Sequence, residues 1–119
     1  MKDLNLSPKS PSVRQISVTK ADYWSIVEEL MPLQGCIEVQ QDQPGKEHAW
    51  HVHDNDETLV VLEGHAKFYW EGGDQICGPG SVISLPAGVR HGSIAMEDGV
   101  RYLIAFQAVD LSQFGADNG

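Results

Sequence analysis

The chain has 119 residues, 41% of them apolar, and its 17 acidic and 8 basic side chains leave a net charge of −9. This is the size and composition of one globular domain, which excludes a disordered, collagen-like or mucin-like chain. The charge argues against binding to nucleic-acid phosphates or anionic membrane surfaces, and no apolar run approaches the roughly 20 residues of a membrane helix.

Residues 1–12 carry Ser, Pro and Lys without periodicity and read as a flexible arm with no apolar segment of a secretory signal. Residues 13–18 can open a strand. Thr19 is then a good N-cap, with Asp22 three positions on. Tyr23, Trp24, Val27, Leu30 and Met31 follow at helical spacing until Pro32, which predicts one short helix over 20–30. Everything after it reads as strands: 33–41, 47–53, 57–63, 65–70, 82–86, 90–96 and 100–109. Gly-containing corners separate them, with turns at Gly64, at Gly72-Gly73 and at Glu97-Asp98-Gly99. Residues 111–119 are polar and read as a flexible tail, leaving 13–110 as the domain. Short strands at regular spacing mean an all-β sandwich or barrel, here a two-sheet jelly roll that closes most of its edges and holds a pocket.

His51 and His53 are two apart, so on a strand their imidazoles share one face. Glu57 can open the next antiparallel strand and face the same interior. His91 lies 34 residues beyond Glu57 and must be brought in by the fold. Three imidazoles and a carboxylate suit one divalent transition metal: Fe, Mn, Zn, Ni or Cu. On an octahedral metal these four ligands leave two open positions, whereas a tetrahedral zinc would be closed by them. The sequence leaves both geometries open.

Gly45, His51, His53, Glu57 and Gly64 stand at the spacing of the first cupin motif, which they resemble, and Gly80, Pro86, Gly88 and His91 resemble the second. The chain departs from the family pattern at Ala95, where the second motif often ends in Asn. The resemblance implies a small single-domain cupin: a double-stranded β-helix, or jelly-roll barrel of the RmlC-like kind. It implies a metal inside, held by His51, His53, Glu57 and His91, and a homodimer. It does not imply one reaction, since cupins include dioxygenases, isomerases, decarboxylases and sensors.

The remaining readings follow strand parity. His48 falls on the face opposite His51, and His65 follows a turn, so neither is expected to function. Glu47, Ala49, Ser93 and Ala95 are expected to face inward, as are Tyr102, Ile104 and Phe106, giving a largely apolar pocket. Glu47 and Tyr102 are the candidate acid or base within it. Trp24, Trp50 and Trp70 read as packing residues, with Trp50 covered by the helix or a second subunit. Arg90 and Arg101 read as surface residues. Cys36 and Cys77 make no disulfide framework and read as packing residues of a cytoplasmic protein. The function expected is a non-haem metal-dependent enzyme, dioxygenase-like, acting on a small organic substrate. The alternatives are a non-catalytic metal-containing sensor of a small ligand, or a sugar isomerase-like cupin, for which the chain has few basic residues.

Overall fold

The computed structural model describes residues 10–111 and Phe114. The expected arm therefore lies outside the described residues up to position 9, and so does most of the expected tail. Seven strands form one sheet: β1 (Ser12–Gln15), β2 (Glu38–Asp42), β3 (Glu47–His51), β4 (Glu57–Trp70), β5 (Gly73–Cys77), β6 (Ser81–Leu85) and β7 (His91–Ala105). A 3₁₀ turn at Lys20–Asp22 leads into one helix, α1 (Tyr23–Leu30). The start of that turn is fixed as its sequence suggests: the Thr19 amide and hydroxyl both donate to Asp22 Oδ2, at 2.8 and 3.0 Å. No helix among the described residues is long and apolar enough to cross a membrane.

Two strands are longer than the sequence suggests. The expected turns at Gly64 and Gly99 are bends inside β4 and β7, which pair antiparallel from Thr58↔Ala105 to Trp70↔His91. The register shifts on both sides of Gly64, and both glycines have positive φ, +77° and +69°. A Cβ on Gly64 would lie 2.1 Å from the Gly99 carbonyl oxygen. Bare backbones therefore cross where the two long strands bend together. The bend turns one ribbon into two layers. One half of it is flanked by β1, β6 and β2, the other by β5 and β3. The sheet is open, in the order β1-β6-β4-β7-β2 with β5 on β4 and β3 on β7, so the expected edge closure is incomplete. This is the all-β jelly roll, or double-stranded β-helix, with a single short α-helix among the described residues.

The core has two parts. Leu59, Val61, Phe68, Ile83, Leu85 and Tyr102 pack between the layers. Val60, Leu62, Val82 and Leu103 face the other way, against Ile26 and Leu30 of α1. Both faces of the first half of β4 are thus buried, which accounts for its unbroken run Thr58-Leu59-Val60-Val61-Leu62. Leu111 belongs to the second part of the core at 2% exposure, so the packed domain extends one residue into the expected tail.

The helix does not cover Trp50. That ring is 44% exposed on the other half, against Tyr69 and beneath the Arg90 guanidinium. Trp24, at 69% exposure, and Cys36 are also on the surface rather than packed, whereas Cys77 is buried. Arg90 pairs with Glu71 and Arg101 with Glu63, both at the surface as expected.

Candidate metal centre

The four residues expected to share one space come from three places. His51 ends β3, and His53 follows it in the connecting loop, whose backbone is held by the Gly88 N–H donating to the His53 carbonyl at 2.9 Å. Glu57 opens β4 opposite Leu85. His91 opens β7, directly across from His51 and next to Trp70. The fold brings the three histidines together and sets Glu57 beside His53. The ring centroids of the three histidines are 4.5–5.1 Å apart, and one ligand atom from each lies within 4.8 Å of the others. Glu57 Oε1 is 3.6 Å from His53 Nε2.

Hydrogen bonds select the tautomers. His51 Nδ1 donates to the Ala49 carbonyl, and His91 Nδ1 donates to the Val89 carbonyl at 3.0 Å. A carbonyl can only accept, so the proton sits on Nδ1 and each Nε2 lone pair is left bare. His51 Nε2 then lies 3.1 Å from His53 Nε2. With metal–nitrogen bonds of the usual length, two nitrogens on one ion stand about 2.9 Å apart at right angles and about 3.4 Å apart in a tetrahedron. The observed spacing lies between the two, so these donors fit a shared ion without choosing its geometry.

Electrostatics point the same way. Burial pushes the His91 imidazole below its usual pKa, against the raising effect of the Val89 hydrogen bond, and the neighbouring His51 and His53 push it further down. A neutral imidazole is the form that binds metal. Burial raises the Glu57 carboxyl, and the adjacent His53 and His51 work against that rise. A positive ion among these groups would compensate the desolvated carboxylate.

These residues open onto a cavity of about 240 Å³. Leu59, Phe68, Leu85, Tyr102, Ile104 and Phe106 supply its apolar wall, as parity on β7 suggests. Ser93 also lines it as expected, and Ala95 is buried in the core. Three parity readings on β3 are overturned, among them that of Ala49, which is exposed and absent from the cavity lining. His48 lines the cavity, whereas Glu47 is on the surface, where it accepts a 2.6 Å hydrogen bond from the Tyr69 hydroxyl. The cause is a β-bulge: His48 pairs with Ser93 and His51 with His91, so three steps along β3 match two along β7. One extra residue reverses the parity between His48 and His51.

A second polar group was not foreseen. Asp42, 5% exposed, accepts from the Gln40 amide at 3.0 Å and the Tyr102 hydroxyl at 3.0 Å, and its Oδ2 lies 2.9 Å from His48 Nε2. Glu38, Gln40 and Asp42, three polar residues at alternate positions, mark one polar strand face in the sequence but not the His48 and Tyr102 side chains that meet on it. Burial and the Asp42 carboxylate raise the Tyr102 hydroxyl far above its usual pKa. Tyr102 is thereby a fixed hydrogen-bond donor to Asp42 rather than a free acid or base. His65 pairs with Asp98 at 2.8 Å at the bend, away from the cavity lining.

The comparisons agree with this fold. A search of curated proteins returned no match. Among solved structures, the DMSP lyase DddQ from Ruegeria pomeroyi is 25% identical, with a TM-score of 0.57 over 60% of this chain and 37% of that one. An oxalate decarboxylase from Bacillus subtilis is 25% identical, with a TM-score of 0.54 over 60% of this chain and 20% of that one. A DUF861 family protein from Thermotoga maritima shares the fold over 82% of this chain and 99% of its own, with a TM-score of 0.56 at 18% identity. The family model described as the cupin domain matches residues 38–106, which hold all four candidate ligands and six of the seven strands, and the chain belongs to the cupin family.

Proposed function

We propose that His51, His53, Glu57 and His91 hold one divalent transition metal, and that the protein is a metal-dependent enzyme acting on a small organic acid in the adjoining cavity. The observation that carries this reading is the Nδ1 hydrogen bond from each of His51 and His91 to a backbone carbonyl, which leaves Nε2 as the free lone pair of each neutral ring within a cluster of three histidines that has Glu57 beside it. Bound there, the ion would supply Lewis-acid chemistry, polarising an oxygen of the ligand. The chain supplies the rest. Phe68, Ile104 and Phe106 give the cavity an apolar wall, while Asp42 fixes the orientation of His48 and Tyr102 beside it. The names of the lyase and the decarboxylase at 25% identity support bond cleavage in a small acid rather than oxygen insertion.

The test is turnover of a panel of small carboxylic acids by metal-loaded protein, with oxygen consumption followed in parallel. Product formation without oxygen uptake is expected. Stoichiometric oxygen uptake would make the protein a dioxygenase instead. Glu57→Gln should lower turnover per bound metal by more than tenfold, because the carboxylate sets the charge and open positions of the site. Ligand binding that falls only in step with metal content, with no turnover in the wild type, would mark a binding protein.

We also propose a homodimer. The outer face of the β3–β7–β4–β5 half leaves Trp50 and Ile76 at 44% and 55% exposure, where no other element covers them among the described residues. Sedimentation should give about twice the 13.1 kDa chain mass. A species of single-chain mass at all concentrations would refute it.

A further inference from the structure

The far side of the cavity from the metal ligands carries its own recognition chemistry. His48 and Ser93 stand directly opposite each other on β3 and β7, one inward row from the His51↔His91 pair. The two rows are about 7 Å apart along β7, two residues of strand rise. Ser93 is 8% exposed and lines the cavity, and its hydroxyl has no hydrogen-bond partner among the described residues. A buried hydroxyl without a partner costs free energy unless something completes it.

His48 is oriented for the same purpose. Its Nε2 faces the Asp42 carboxylate, which already accepts from Gln40 and Tyr102. A carboxylate only accepts, so in the neutral imidazole the hydrogen is on Nε2 and Nδ1 is left as an acceptor. Nδ1 has no partner among the described residues. This end of the cavity therefore offers an imidazole acceptor and a free hydroxyl. Among the described residues no lysine or arginine lines the cavity, and Glu38 adds a carboxylate to its rim. A second anionic group on a ligand would meet no cation there and would face Glu38.

Building on the metal-dependent reading above, we propose that the cavity selects small monocarboxylates that carry a hydrogen-bond donor, a hydroxyl or amino group, two or three carbons from the carboxyl. The carboxylate faces the His51, His53, Glu57 and His91 end. The donor is held between His48 Nδ1 and the Ser93 hydroxyl. Dicarboxylates and plain acids of the same length are discriminated against, the first by charge and the second by leaving Ser93 and His48 unpaired.

The experiment uses the cobalt(II)-loaded protein, whose visible absorption reports ligand entry without requiring turnover. The probes are 3-hydroxypropionate, β-alanine, propionate and malonate. We expect 3-hydroxypropionate or β-alanine to bind about tenfold more tightly than propionate, one hydrogen bond's worth of selectivity, and malonate to bind no better than propionate. Ser93→Ala and His48→Leu should keep full cobalt content and lose the preference, 3-hydroxypropionate and β-alanine falling to the level of propionate while propionate itself binds no more weakly, since no unpaired polar group is left to face it. Asp42→Asn should weaken it, by releasing the imidazole. Cobalt binding with equal affinity for all four acids, with tightest binding of malonate, with no acid binding, or with a preference that survives both variants overturns this inference alone. Failure to bind cobalt at all overturns the metal reading on which it rests.

Discussion

His91→Ala should strip the protein of metal while leaving the jelly roll folded. Of the three histidines it is the most buried, at 3% exposure, and its Nδ1 is tied to the Val89 carbonyl, which leaves Nε2 as the atom free to bind a metal. Removing outer-shell partners of metal ligands already costs 10- to 100-fold in affinity, so removing a ligand should cost more than about 100-fold. The protein as purified should then hold less than about a tenth of the wild-type metal. The fold should survive, because the space left is polar and admits water, and because His91 lies at the start of β7 rather than in the packed layer between Phe68 and Tyr102. Elemental analysis alongside circular dichroism checks both halves of the expectation. His51→Ala should behave alike, since it removes an equivalent Nε2. Wild-type metal content in either variant would mean that the ion is held elsewhere.

Gly64→Ala should be among the most damaging single substitutions outside the site. The new Cβ would lie 2.1 Å from the Gly99 carbonyl oxygen and 3.0 Å from the Val100 Cα, both backbone atoms of the partner strand. Positive φ alone costs a non-glycine residue about 1–2 kcal/mol. The clash must in addition push β4 and β7 apart at their bend, which brings the expected loss to about 4 kcal/mol, or roughly 15 °C of melting temperature for a chain of this length. Gly45→Ala is the control. Gly45 has the same sign of φ, +82°, and nothing within 4 Å of a Cβ. Its loss should stay near the cost of φ alone. Equal melting temperatures for the two variants would show that the backbone crossing is not what holds the bend.

Much of this was legible before the fold was known, for a physical reason. Two histidines two apart share a face on extended backbone, and although β3 ends at His51 the pairing with His53 survives, the two Nε2 atoms standing 3.1 Å apart. The glycines at positive φ were legible as well, but their role was not. A glycine at φ +77° serves a hairpin turn or a bend in a continuous strand equally well, and only the partner across the sheet decides. For Gly64 that partner is Val100, with the Gly99 carbonyl pressed against it, and one bent ribbon replaces the two pairs of short strands. Parity counting failed at His48 and Glu47 because the bulge that reverses it is set by pairing with β7, not by any residue within β3. The Asp42 cluster escaped notice for a related reason. Gln40, His48 and Tyr102 come from three strands, and no spacing along the chain announces that their side chains meet on one carboxylate.

The central claim is that His51, His53, Glu57 and His91 share one metal ion, and anomalous diffraction from crystals of the metal-loaded protein tests it most directly. Data collected on either side of the absorption edge of the bound metal should show one strong peak per chain. It should be coordinated by the Nε2 atoms of all three histidines and by a Glu57 oxygen, each at about 2.0–2.2 Å. A peak bound by other residues, or a fully loaded crystal in which Glu57 or any of the three histidines stands away from the ion, would contradict the four-ligand site.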